Sequence, residues 1–187
     1  MKEEEKKKES NDSVPEKNND KKALFYLVYA AMFAALTCAV TFFPKIPIGS
    51  NGGYIHLGDA VIFLSASVLP LPFAMASGAV GGMLSDIFSG SAAWAPWTFV
   101  IKALMCVFFT SKKQKMLCRR NYIAPVFALI VSVVGYYAAE GVLYSWASAL
   151  TSAPFTVVQD VAGAAVYYAV AAALDKGGIK KKMLKFK

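Results

Sequence analysis

The sequence predicts an all-α fold: a polytopic membrane protein built as a six-transmembrane-helix bundle, with N- and C-termini cytoplasmic. Three observations predict it. Hydrophobic residues fill 57% of the 187 positions and charged residues only 17%, whereas soluble domains carry about 25% charged residues. The apolar residues are gathered into six runs. The cationic residues fall almost entirely between alternate runs, the pattern that orients membrane helices.

Residues 1–22 hold seven Lys and seven acidic residues, with only Met1 and Val14 apolar. Such a stretch cannot bury enough surface to fold, and a disordered cytoplasmic tail is expected. It is too polar and too long for a signal-peptide n-region, so the run that follows is expected to be an uncleaved first membrane helix. The transmembrane domain is expected over residues 23–174, followed by a basic cytoplasmic tail over 175–187.

The first run, 23–43, ends at Pro44 and Pro47. A loop rich in Pro, Gly, Ser and Asn, 44–56, leads to the second run, 57–69. Leu69-Pro70-Leu71-Pro72 then makes a tight break, because proline lacks an amide donor and disfavours helix in the residue before it. The third run is 71–89, the fourth 96–110, the fifth 122–147 and the sixth 153–174, with a turn expected at Ser148–Ser152. A helix needs about 20 apolar residues to cross the hydrocarbon core, and the second and fourth runs reach only about 20–23 Å at ~1.5 Å per residue. Charge placement supports both. With six spans, the 1–22 tail, the Leu69–Pro72 turn, residues 111–121 and the C-terminal tail share one side and hold eighteen of the twenty Lys and Arg. Losing either short span moves Lys112–Arg120 to the other side. Two re-entrant segments are the alternative.

The net charge of +8 does not point to nucleic acid, because the basic residues abut apolar runs and form no domain of their own; anchoring at an anionic membrane surface accounts for them. Cys38, Cys106 and Cys118 are isolated and odd in number, which argues against a disulfide framework. A single histidine excludes a multi-His metal site, and no cofactor is expected. There is no HExxH, no GxSx serine to work with His56 and no GxxxxGK[ST]. Neither an intramembrane enzyme nor ATP hydrolysis by this chain is expected.

The ionisable residues inside the runs are Asp59, Asp86, Lys102, Glu140 and Asp160. Such groups are costly in lipid and mark a functional site or a paired network. Under the six-span arrangement all five lie in the outer half of the bundle, and the inner half holds no charge between its boundary turns. An outward-facing polar cavity closed below by an apolar plug fits this. Asp59 and Asp86 are near enough to the interface to serve as helix caps. Lys102 is expected to pair with Glu140 or Asp160, either as a structural bridge or as part of a ligand site. Tyr136, Glu140 and Tyr144 share a helix face, and a carboxylate between two phenols suits a flat polar heterocycle. Trp94, Trp97 and Trp146 lie at the same depth, where an interfacial aromatic belt also explains them. The 44–56 loop could fold over this mouth as a lid; His56 in it reads as a solvated residue rather than a ligand. In the first run Ala31 and Ala35 share a face that would let another helix approach closely, within the bundle or outside it. Gly78, Gly81 and Gly82 read as packing positions.

Ala31-Met32-Phe33-Ala34-Ala35, the glycine-rich outer loop, and GAVGGMLSDIFSG followed by WAPWTFVIKAL give the chain a resemblance to the substrate-binding S components of energy-coupling factor (ECF) vitamin transporters. It covers about residues 23–174 and looks closest to the riboflavin-, pyridoxine- and hydroxymethylpyrimidine-type set. The resemblance implies a high-affinity binding subunit in a bacterial plasma membrane that takes up a small water-soluble vitamin or precursor. It implies docking, through Ala31 and Ala35, onto a membrane coupling protein that carries two ATPases. The ligand would then lie between the first outer loop and the outer halves of spans four to six, among Trp97, Lys102, Tyr136, Glu140, Tyr144, Gln159 and Asp160. A stand-alone secondary transporter of a small heterocyclic solute, coupled to ions through Glu140 and Asp160, is the competing reading, although no internal repeat of the kind common in such folds is visible.

Overall fold

The computed structural model describes residues 14–43, 46–48 and 53–180. Six α-helices are delimited among them: α1 (Val14–Phe42), α2 (Gly58–Val68), α3 (Leu71–Phe88), α4 (Ala95–Met105), α5 (Arg119–Leu143) and α6 (Trp146–Lys176). Helix α4 continues as one 3-10 turn, Cys106–Phe108. Four stretches are long and apolar enough to cross a membrane, Asp20–Phe42, Leu71–Phe88, Arg119–Leu143 and Trp146–Lys176, and two shorter apolar helices accompany them. The protein is a multi-pass membrane protein.

Two boundaries and one connection differ from expectation. Helix α1 begins at Val14, so residues 14–22, expected in a disordered tail, are helical. Pro15 falls in the first turn, where a missing amide donor is tolerated, and extending an existing helix is far easier than nucleating one. Residues 1–13 and 181–187 of the two expected tails lie outside the described residues. The break expected at Ser148–Ser152 falls instead at Tyr144–Ser145: Ser145 caps α6, its hydroxyl accepting the Ser148 N–H at 3.2 Å. The serines and threonine that read as a turn lie inside α6, where Thr151 donates to the Ser148 carbonyl at 2.7 Å, a local bond that helices tolerate. The helical fold class stands as expected, with a short antiparallel hairpin in the connection between α1 and α2. Strand β1 (Ile46–Ile48) pairs with β2 (Gly53–Ile55), Ile46 opposite Ile55 and Ile48 opposite Gly53. Residues 44–45 and 49–52 of the expected lid lie outside the described residues.

Helix α2 occupies the centre. Every residue in it except Leu64 is buried, and it packs against α1, α3 and α6. A helix apolar on all sides belongs inside a bundle, which is why eleven residues suffice: its ends meet protein, not lipid. Below Leu69, the extended Leu69 and Pro70 turn the chain directly into α3. Helix α3 presents glycine where neighbours come closest. A Cβ on Gly81 would lie 2.6 Å from the Ala34 carbonyl oxygen of α1 and 2.8 Å from Thr37 Cβ. On α1 the buried positions Ala30, Ala34, Thr37 and Thr41 form the face toward the bundle, whereas Ala31 and Ala35 are exposed.

The basic segment after α4 is tied to the base of the bundle. Asn121 accepts the Thr110 N–H at 2.7 Å and donates to the Thr110 and Met116 carbonyls at 2.9 Å. The Asp175 carboxylate accepts the Met116 and Leu117 N–H groups at 2.8 and 3.0 Å. Lys180, in the expected basic tail, is buried and donates to the Ser67 carbonyl at 2.6 Å, at the end of α2.

Replacing Gly81 by Val should force α1 and α3 apart, because the obstructing atom is backbone. A loss of about 1–3 kcal/mol is expected from overpacking, read as a lower thermal midpoint of the detergent-solubilised protein; an unchanged midpoint would contradict the close α1–α3 contact.

Candidate functional site

A group of buried polar residues is brought together by α2, α4, α5 and α6. Asp59 sits in the first turn of α2 and Lys102 in the last turn of α4. Lys102 Nζ and Asp59 Oδ1 stand 2.5 Å apart, with the side chains 1% and 0% exposed. Asp59 Oδ2 accepts from Gln159 Nε2 of α6 at 3.0 Å. Helix α6 can come this near because it offers Gly163 one turn away, where a Cβ would stand 3.1 Å from Asp59 Cβ. Next to Gln159, Asp160 Oδ1 accepts the Ser132 hydroxyl of α5 at 3.3 Å. Its Oδ2 is buried and has no hydrogen-bond partner among the described residues.

The loop entering α2 joins the same network. Gln159 Oε1 accepts the His56 backbone N–H at 3.3 Å. The His56 ring accepts the Gly58 N–H at Nδ1, 3.1 Å away, a role that requires that nitrogen to be unprotonated. Burial, against the opposing pull of Asp59, lowers its pKa to about 4, so the ring is neutral at physiological pH. His56 is therefore a buried structural residue, not the solvated one expected from its place in a polar loop.

An aromatic wall stands over the ion pair. The Tyr136 ring centroid lies 5.2 Å from Lys102 Nζ, and its hydroxyl donates to Thr98 Oγ1 at 3.3 Å. Trp94 lies between Tyr136 and Tyr144, with ring centroids 6.1 and 5.9 Å away. One turn beyond Tyr136, Glu140 is buried and its Oε1 accepts the hydroxyls of Ser148 and Ser152 at 2.6 and 3.0 Å. It thereby ties the end of α5 to the beginning of α6. Beneath the ion pair the bundle closes: Phe63, Phe109 and Tyr167 lie 5.1–5.9 Å apart, centroid to centroid.

Of the residues expected in the site, Lys102, Gln159, Asp160 and Tyr136 converge. Tyr144 joins through Trp94. Glu140 lies one turn outward with its own partners. Trp97 is not brought to the network; it lines an apolar groove between α4 and α5. The expected pairing of Lys102 with Glu140 or Asp160 is corrected: its partner is Asp59. Asp59 makes no side-chain cap bond, although it does lie in the first turn of α2, where a carboxylate suits the helix dipole. Sequence reasoning missed Asp59, Trp94, Thr98 and Ser132 as members. The signal for Asp59 was available, since a lone lysine within a span needs a carboxylate at its own depth. For Ser132 and Thr98 no sequence signal separates them from ordinary packing.

Chemically, the cluster offers one ammonium, two carboxyl groups, an amide and a flat aromatic wall in a water-poor setting. It can hold a planar ring by stacking and direct its polar edge by hydrogen bonds. Residues 22–176 match the family described as ECF-type riboflavin transporter, S component. No curated protein matches the chain.

Lys102→Met leaves the Asp59 carboxylate buried without its counter-charge, and a loss of about 3–5 kcal/mol in stability is expected. Adding Asp59→Asn to that variant should restore most of the loss. Thermal unfolding of wild type, both single variants and the double variant measures the coupling, and purely additive losses would show that the two groups do not stabilise one another.

Proposed function

The chain belongs to the ECF-type riboflavin transporter S-component family, and on that premise we propose that it captures riboflavin in the cluster around Asp160 and Tyr136. As a member of that non-enzymatic transporter family it is the membrane substrate-binding subunit of a vitamin-uptake system. The observation that carries the ligand assignment is the buried, unpartnered Asp160 Oδ2 beside the aromatic series Trp94, Tyr136 and Tyr144. Riboflavin has a flat tricyclic ring with an N–H on its polar edge and a chain of hydroxyls. The ring suits stacking on tyrosine and tryptophan, and its N–H or hydroxyl groups suit the Asp160 carboxyl group as a hydrogen-bond partner. Gln159 and Lys102 line the polar side; Glu140 and Tyr144 shape the outer rim; Trp97 supports α4 from outside.

In the same reading all six helices lie across the membrane, with both termini and the basic 111–120 segment in the cytoplasm of a bacterial cell. Helix α1 docks onto a membrane coupling protein that works with two ATPases. The exposed position of Ala31 and Ala35, with Ala30 and Ala34 turned toward the bundle, supports a docking face on the outer side of α1.

Titrating the detergent-solubilised protein with riboflavin and following flavin fluorescence tests the ligand. Saturable quenching is expected, with Asp160→Asn and Tyr136→Leu each weakening affinity about tenfold or more; no response to riboflavin would overturn the assignment. The double variant Ala31→Trp/Ala35→Trp should keep full riboflavin binding and lose uptake in cells that also carry the coupling module, whereas normal uptake would remove α1 as the docking face.

A further inference from the structure

At the C-terminal end of the bundle, a cavity of about 610 Å³ opens beside the first turn of α5. Lys112, Lys113, Arg119 and Arg120 line it, and the only large apolar side chain there is Ile123. No acidic residue stands in that first helical turn. The positive end of the helix dipole and four cations thus share one concavity, an arrangement that repels itself and attracts an anion. Arg120 already donates to the Phe108 and Val107 carbonyls at 2.8 and 3.0 Å, which uses two of its five N–H groups and fixes the guanidinium at the cavity wall.

An apolar track lies beyond the cavity on the same face of α5. Above Ile123, Phe127 stacks on Phe108 at 5.6 Å, and the α5 face proceeds through Ile130, Val134 and Ala138. These three line the 370 Å³ groove opposite Trp97, Val100 and Leu104 of α4. Phe127, Ile130, Val134, Val100 and Leu104 are all exposed in the isolated chain. From Phe127 to Ala138 the track rises about 16 Å at ~1.5 Å per residue, close to the depth of one leaflet of a ~30 Å hydrocarbon core.

A cationic cavity at the membrane boundary and an apolar groove one leaflet deep, on the same helix pair, have the shape and charge of one phospholipid. We infer that the α4–α5 seam binds an anionic phospholipid, its phosphate among Lys112, Lys113 and Arg119 and an acyl chain along the groove as far as Trp97. Basic pockets between membrane helices are suited to such headgroups. The inference needs the chain to lie in a bilayer with this end at a membrane surface, and is independent of which vitamin is carried.

Native mass spectrometry of the full chain tests it, with the protein purified in detergent and supplied with equal phosphatidylglycerol and phosphatidylcholine. Preferential retention of phosphatidylglycerol is expected. Lys112→Gln/Lys113→Gln/Arg119→Gln should lower it about a hundredfold, taking about fivefold for each cation near an anionic surface. Arg120 is left intact because it caps backbone carbonyls. Ile130→Trp, which fills the groove and keeps the cations, should lower retention of long-chain phosphatidylglycerol while leaving that of a short-chain analogue unchanged. Tryptophan fluorescence melting verifies that each variant is folded, and an unfolded triple variant hands the decision to Ile130→Trp and the lipid comparison. Equal retention of the two lipids, unchanged retention in folded variants, or displacement of the lipid by millimolar inorganic phosphate alone would overturn the inference.

Discussion

The contact between Lys102 and Asp59 constrains everything around it. Removing an ammonium and a carboxylate from water costs several kcal/mol for each ion, and their attraction repays this only when the remaining donors and acceptors are also met. The surroundings meet them. Gln159 takes the second Asp59 oxygen, which the glycine at position 163 allows by letting α6 come near α2, and the Tyr136 ring of α5 faces the ammonium. Four helices are therefore held in register by one pair of charges, and the hairpin is attached through the His56 amide on Gln159. A bundle in lipid lacks a strong hydrophobic drive between its helices, so polar contacts of this kind and close packing decide its geometry.

The ion pair also explains the short central helix. Helix α2 starts at the charges and ends at the Pro70 turn, with its whole length enclosed by neighbours. It has no lipid boundary to match. Its end is met by the Lys180 ammonium, which donates to the Ser67 carbonyl, one of the carbonyls a helix leaves unsatisfied. The polar groups above and the serine, aromatic and aliphatic packing below are thus properties of one buried element and what surrounds it.

Much of this was legible in the sequence. Proline and charge punctuation located α2, α3 and α4 to within a residue or two at most of their ends, and the shared depth of Lys102 and Asp160 pointed to a common site, although Asp59 at the same depth read as a helix cap. What escaped was partner choice and local capping. Helical rotation decides which carboxylate Lys102 reaches, and a depth argument carries no rotation. Trp94 and Trp97 read alike in the sequence, yet one enters the bundle and the other faces its outer groove. The serines at 148 and 152 resemble a loop because their hydroxyls compete with the backbone; here those hydroxyls are drawn to Glu140 and the helix runs through. The hairpin of Ile46–Ile48 and Gly53–Ile55 is too short for its periodicity to stand out from a proline- and glycine-rich connection.

The three rings beneath the charges have a further consequence. Phe63 and Tyr167 are completely inaccessible and Phe109 nearly so, and their edges and faces interlock with Met105 and Ala171 in the same core. Rings packed at these distances, with no polar side chain between them, leave the core beneath the ion pair apolar from one helix to the next.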